Sequence, residues 1–136
     1  MTFLLDTNVI SEVRRKRPDA RVSSWIRRAD PAALCISVLT LGEIAKGAAQ
    51  CAARDRAQAA VYYRWLDQVR LHYADRMIAI DADIAEAWGH LAAKRIFPIV
   101  DGLLAATALV RGMTLVTRNE RDIAGAGVPV LNPWNA

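Results

Sequence analysis

Short apolar runs separated by stretches of helical periodicity constrain this chain more than any other feature. The runs are Thr2–Leu5, Ala33–Ile36, Met77–Ile80, Thr114–Thr117 and Val128–Leu131. They do not alternate apolar with polar residues, as strands with one wet face would. Short, continuously apolar strands interleaved with helices imply a parallel sheet covered on both faces. Right-handed crossovers then bring the strand-to-helix turns to one edge of that sheet.

The first run stops at Asp6, and Thr7–Val13 reads as a short helix. The basic turn Arg14–Arg17 leads to Pro18, which is suited to start the next helix. Asp19–Arg28 places Val22, Trp25 and Ile26 on one face. Ser37 is placed to cap a helix with Val38, Leu41, Ala45 and Ala48 at helical spacing, so Glu43 falls in its second turn. Asp55–His72 reads as a longer helix with the stripe Val61, Trp65, Val69 and His72. Ile84, Trp88, Leu91 and Ala92 mark another, expected to end near Phe97–Pro98 because the residue before proline avoids the helical region. Asp101 opens an alanine-rich helix, Leu103–Arg111, which closes at Gly112. Arg118–Ile123 is a polar turn, and Pro129 puts the last strand at a sheet edge.

A length of 136 residues suits one domain with a real core. No apolar run approaches the roughly 20 residues of a membrane helix. The apolar start lacks a preceding positive charge and is cut short by Asp6, so a signal peptide is not expected and a cytoplasmic location is. Cys35 and Cys51 show no metal spacing and read as reduced packing residues. A net charge of +4 favours an anionic partner. Trp25, Trp65 and Trp88 read as core or interface residues. His72 and His90 fall on helices and read as surface positions.

The candidate chemistry lies in the acids. Asp6 and the Thr117–Asp122 turn both follow strands and share the sheet edge. Glu43 lies a turn or two beyond the second strand, and Asp101 opens the helix before the fourth. Carboxylates that converge repel one another unless a cation neutralises them, and hard ions such as Mg²⁺ or Mn²⁺ take oxygen ligands. Such an ion polarises a phosphoryl oxygen and activates a water. The chain has no nucleophile elbow, no Walker A loop and no dinucleotide fingerprint. Each acid also has an ordinary alternative: Asp6 or Asp101 as a helix cap, Glu43 as a solvated helix residue, Asn119 and Asp122 as turn residues.

Asp6-Thr7-Asn8-Val9-Ile10-Ser11 resembles the opening motif of PIN-domain ribonucleases. Ser37-x-x-Thr40-x-x-Glu43-Ile44-x-x-Gly47 resembles their second motif. Asp101-x-Leu103-x-Ala105-x-Thr107-Ala108 resembles the third, and Thr117-Arg118-Asn119-x-x-Asp122-Ile123 the fourth. The ending Gly127-Val128-Pro129-Val130-Leu131-Asn132-Pro133-Trp134 is similar to that of VapC-type toxins and their FitB-like relatives. The motifs come in family order and span residues 3 to 134.

The resemblance implies a single α/β PIN-like domain over residues 1–136, three layers α/β/α, with about five short parallel strands in the order 3-2-1-4-5. It implies a catalytic set of Asp6, Glu43 and Asp101 as metal-holding acids. Asn119 stands where the family often has Asp, with Asp122 nearby as a possible replacement carboxylate. Thr7, Asn8 and Thr117 match positions that orient the acids. Arg118, Arg121, Arg14 and Arg15 are the candidate phosphate contacts. The implied activity is Mg²⁺- or Mn²⁺-dependent endoribonuclease cleavage, of tRNA or rRNA for example, leaving a 5′-phosphate and a 3′-hydroxyl. The implied partners are a homodimer mate and a VapB-like antitoxin, whose contacts would involve the helices over Pro18–Arg28 and Gln50–Leu71. Two rival readings are a PIN-like binding module without strong catalysis, favoured by Asn119, and a haloacid dehalogenase-type phosphatase. The second needs an acid two residues after Asp6, where this chain has Asn8.

Overall fold

Leu4 and Leu5 are neighbours in sequence, yet they are buried in different cores. That is why the first strand is apolar throughout. A computed structural model describes residues 1–136. The chain runs β1 (Phe3–Leu5), α1 (Thr7–Arg14), α2 (Ala20–Arg28), β2 (Leu34–Ser37), α3 (Val38–Ala52), α4 (Arg56–His72), β3 (Met77–Ile78), α5 (Ala82–Lys94), α6 (Ile99–Arg111), β4 (Thr114–Val116), α7 (Glu120–Ile123) and β5 (Val130–Leu131). The five strands form one parallel sheet in the order β3-β2-β1-β4-β5.

One core lies between the sheet and α5 and α6. It holds Leu4, Leu115, Ile84, Leu91 and Leu104. The other holds Leu5, Val116, Ile36, Val9, Val22 and Ile44, with Leu66 and Val69 of α4. Leu115 and Val116 split between the two cores as Leu4 and Leu5 do. The expected three-layer α/β/α arrangement and strand order are both present, with β5 at an edge.

Several boundaries differ from the sequence reading. Pro18 does not start α2, because Asp19 caps it by accepting from the Arg21 N–H at 2.8 Å. β2 includes Ser37, whose hydroxyl also caps α3 through the Leu39 N–H. β3 has two residues only, and α5 ends at Lys94, after which Arg95 is extended. The extended stretch carries Phe97 into the first core. α6 starts four residues before the expected Leu103, because Pro98 sets the turn and its carbonyl accepts from the Gly102 N–H at 2.8 Å. Asp101 therefore sits inside the first helical turn rather than ahead of the helix.

Two stripes are also rotated. α3 buries Thr40, Ile44, Ala48 and Cys51 rather than Val38, Leu41 and Ala45. α4 buries Ala59, Leu66 and Val69, leaving Trp65 and Val61 half-buried and His72 exposed. Cys35 and Cys51 are both free thiols.

Gly112 ends α6 in the left-handed region, with φ 66° and ψ 42°. A methyl group would meet nothing there within 4 Å, so only the backbone would resist a side chain. Gly112→Ala is expected to cost about 1 kcal/mol. Thermal unfolding should show Tm lowered by roughly 3–5 °C.

Candidate active site

Leu5 pairs with Val116, so Asp6 and Thr117 leave the sheet side by side. They do so between β1 and β4, where the order of strands reverses direction across the sheet. Open α/β sheets bind ligands at that switch point. Asp6 is only 6% exposed. Its Oδ1 accepts from the Thr7 N–H at 2.7 Å, so it does cap α1. Its Oδ2 accepts from the Thr117 hydroxyl at 2.7 Å and from the Asn8 side-chain amide at 3.3 Å. The Asn119 N–H donates in turn to the Thr117 hydroxyl at 3.0 Å. Capping and site placement thus use different oxygens of the same carboxylate.

Glu43 reaches the same edge from α3. The Thr7 hydroxyl donates to its Oε1 at 2.6 Å and lies 3.2 Å from the Thr40 hydroxyl. A hydroxyl has one proton to give, so the second contact uses Thr40 as donor. Thr40 is fully buried. Its burial is what turns α3 away from the expected stripe and aims Glu43 at Asp6. Asp101 approaches from the first turn of α6.

The charges of these acids act on one another. Burial pushes the Asp6 carboxyl above its ordinary range; the Thr117 hydroxyl opposes this and the Glu43 charge adds to it. Asp101 is pushed up to about 6, first by burial and then by the charges of Asp6, Asp122 and Glu43, with no hydrogen bond to offset the rise.

Asp6, Glu43, Asp101 and Asn119 line one open cleft of about 530 Å³. Arg14, Arg15 and Arg118 line it too. The Arg118 guanidinium lies 5.1 Å from the Trp134 ring centre, and Arg15 pairs with Glu12 at 3.3 Å. Arg121 and Asp122 are not on the cleft wall. Arg121 is exposed, and its carbonyl accepts from Arg95 at 3.2 Å. Asp122 acts on Asp101 through its charge alone. The fourth corner of the cleft is therefore Asn119, with Asp122 beside it.

Four contributors were not assigned to the site from the sequence, although Thr40 stands in a quoted motif and Trp65 reads there as a core or interface residue. Thr40 had a signal, its spacing of three residues before Glu43 on a helix. Tyr62 and Trp65 had a similar one, three residues apart on α4. Glu12 had none: a lone helix glutamate is normally solvated. Here it is 6% exposed and accepts from the Asp19 N–H at 2.9 Å.

The donor set suits a hard divalent ion. It is all oxygen and amide, with both histidines exposed on helices elsewhere. A positive charge would relieve the strain that raises the Asp6 and Asp101 carboxyls. The acids are not drawn into a ready-made cluster of three or more ligands. Mg²⁺ commonly takes only one or two direct carboxylates and otherwise water.

Comparison with known proteins identifies the family and supports the fold. A family model described as "PIN domain" matches residues 3–127. The chain belongs to the PIN-domain family. Among relatives of this PIN domain, the plasmid stability protein StbB of Pseudomonas syringae pathovar tomato is 33% identical over 98% of the chain and 99% of StbB. The VapC ribonuclease Y4jK of Sinorhizobium fredii is 32% identical over 97% of each. Among solved structures, FitAcB from Neisseria gonorrhoeae superposes with a TM-score of 0.89 at 29% identity, covering 99% of this chain and all of the matched one. A toxin–antitoxin complex from Klebsiella pneumoniae gives 0.73 at 26% identity over 97% and 98%. No helix of this PIN domain is long and apolar enough to cross a membrane.

Proposed function

We propose that this PIN domain is the toxin of a toxin–antitoxin pair: a cytoplasmic endoribonuclease, dependent on Mg²⁺ or Mn²⁺, that acts as a homodimer and is neutralised by a VapB-like antitoxin. The observation that carries the reading is the convergence of Asp6, Glu43 and Asp101 on one open cleft bordered by arginines. The names of the relatives support the toxin and ribonuclease parts.

A divalent ion bound in such a cleft would supply Lewis-acid polarisation of the phosphoryl group and a more acidic water. The chain's own residues do the rest. Asp6 and Asp101 present the carboxylate oxygens that would hold the ion. Thr117, Asn8 and the Thr7 N–H fix the direction of Asp6. Glu43, held by Thr7, would orient the attacking water and take up its proton as the P–O3′ bond breaks, and solvent would return a proton to the 3′ oxygen. Asn119 adds a neutral amide. Arg118 meets a phosphate at the cleft wall, so binding should weaken as salt rises. A basic side chain from an antitoxin would satisfy the same acids and block the cleft.

Asn8 weighs against the phosphatase reading. Its amide donates to both Asp6 and Thr117, the latter also at 3.3 Å, so the position is committed to orientation rather than acid chemistry. The purified protein with Mn²⁺ is expected to nick RNA and leave a small phosphomonoester intact. Phosphate release with undamaged RNA would overturn the reading.

Thr117→Val tests the supporting contacts. It removes the shortest side-chain donor to Asp6 while keeping the shape. Partners of this kind typically contribute 10–100-fold to metal affinity or activity. Mn²⁺ titration and RNA cleavage should both weaken by about that factor, with the circular dichroism spectrum unchanged.

A further inference from the structure

We propose that Trp134 is a positioning residue of the cleft: its ring holds the Arg118 guanidinium at the wall, so that the RNA phosphate meets a donor already in place. The proposal rests on the ribonuclease reading and adds to it the residue that sets its phosphate contact. Val116 pairs with Leu131, so β4 and β5 carry Arg118 and the Pro133–Asn135 turn to the same edge of the sheet. The Arg118 guanidinium lies over the Trp134 ring, 5.1 Å from its centre. It takes no part in the ion pairs of the structure, and the hydrogen bond that Arg118 donates comes from its backbone N–H, to Asn8 Oδ1 at 3.5 Å. A ring face holds a guanidinium without using its N–H donors, which stay free for a phosphate. Arg15, by contrast, is already engaged by the Glu12 carboxylate at 3.3 Å.

Trp134 is itself fixed. It is 7% exposed and packs in the second core. Its backbone N–H donates to Asn132 Oδ1 at 3.0 Å, and the Asn132 amide donates to Glu120 Oε2 at 2.9 Å. The Asn135 amide reaches the same oxygen at 3.5 Å. Glu120 lies two residues beyond Arg118. The turn that bears the cation and the turn that bears the ring are thus tied together at a second point. Arg118 and Trp134 both line the acid cleft, and both line an adjoining pocket of about 260 Å³ with Arg15, Arg17 and Arg21. A free arginine loses side-chain freedom when it grips a phosphate, and one already held loses less. Removing the ring alters the placement of the charge and not its amount.

A double-mutant cycle tests the placement. Binding of a fluorescein-labelled oligoribonucleotide of mixed sequence is measured in chelator, where no cutting is expected. Arg118→Gln is expected to lower affinity about tenfold, and Trp134→Leu about fivefold. The double variant should bind no more weakly than Arg118→Gln, because a ring without its cation has nothing left to place. Trp134→Phe keeps a ring face and should bind within about twofold of wild type. Trp134→Leu also opens a gap in the second core, so Asn132→Ala runs through the same cycle. It removes the cap on Trp134 and the tie to Glu120, and should weaken binding only while Arg118 is present. Equal losses from Trp134→Leu with and without Arg118, or Trp134→Phe binding as weakly as Trp134→Leu, would overturn the positioning role. If Trp134→Leu does not fold, no loss from Asn132→Ala, or the same loss with and without Arg118, would do so. Cleavage is scored separately with Mn²⁺: coupled binding without cutting would retain the positioning role and overturn the ribonuclease reading, and no RNA binding by the wild type would overturn both.

Discussion

Asp6→Asn is expected to reduce metal-dependent RNA cleavage about a thousandfold, equivalent to about 4 kcal/mol of transition-state stabilisation. The substitution preserves size and the capping oxygen, so the Thr7 N–H keeps its acceptor. What it removes is the negative charge, together with the Oδ2 acceptor of the Thr117 hydroxyl and the Asn8 amide. Asp6 is also the residue on which Thr117, Asn8 and Thr7 converge. Its burial raises the cost of its charge, and the Glu43 charge adds to that cost. Relief of that cost and loss of the two Oδ2 contacts act in opposite directions, so Tm should change little. Parallel measurement of cleavage rate and Tm would separate the two effects, and a loss of activity explained by unfolding would count against this role.

Asp101→Asn is expected to abolish cleavage to a similar degree while raising the stability of the metal-free protein at alkaline pH. The sign follows from proton binding. Asp101 has a folded pKa of about 6 against an ordinary 3.8, so the folded state holds more protons between those values. That raised affinity stabilises the fold at low pH, and the benefit is lost as pH rises through the folded value. Above it, the carboxylate is charged beside Asp6, Asp122 and Glu43. The open cleft screens part of this repulsion, leaving about 1 kcal/mol at stake. The variant should unfold roughly 3 °C above wild type near pH 8 and close to it near pH 4. Mn²⁺ should raise the wild-type Tm and leave the variant unmoved, since only a state that binds the ion gains from it. A destabilised variant near pH 8 would contradict the electrostatic picture.

These two residues also show how much the sequence carried. Asp6 was legible because an apolar run ends on it, and a parallel sheet converts that into a position at the ligand-binding edge. The strand order could be anticipated once the four motifs had been seen together. Glu43 was legible as a member of a motif but not as a neighbour of Asp6. That closeness depends on Thr40 being buried against Thr7, a polar contact which apolar periodicity does not register. Asp101 was placed ahead of a helix that in fact begins at Ile99. The rigid backbone of Pro98 extends α6 backwards, and this brings the acid into its first turn.

The aromatic wall was the least legible part. Trp65 reads as a core residue from the stripe of α4, and one side of it does pack on the core. Its other side opens on the cleft with Tyr62 and Arg14, which come together only after α1 and α4 have packed. Arg14 and Arg121 make the same point in opposite directions. Both read as candidate phosphate contacts, Arg14 from its basic turn and Arg121 from lying beside the predicted site. The structure puts Arg14 over aromatic rings at the cleft and leaves Arg121 outside it.

The most direct test of the acid cleft follows Mn²⁺ binding and RNA cleavage in one titration of the wild-type protein, with bound ion read from the loss of the free Mn²⁺ electron paramagnetic resonance signal. The two curves should rise together, and both should vanish in Asp6→Asn and in Asp101→Asn. Undiminished cleavage in excess chelator, or in either variant, would contradict the central claim.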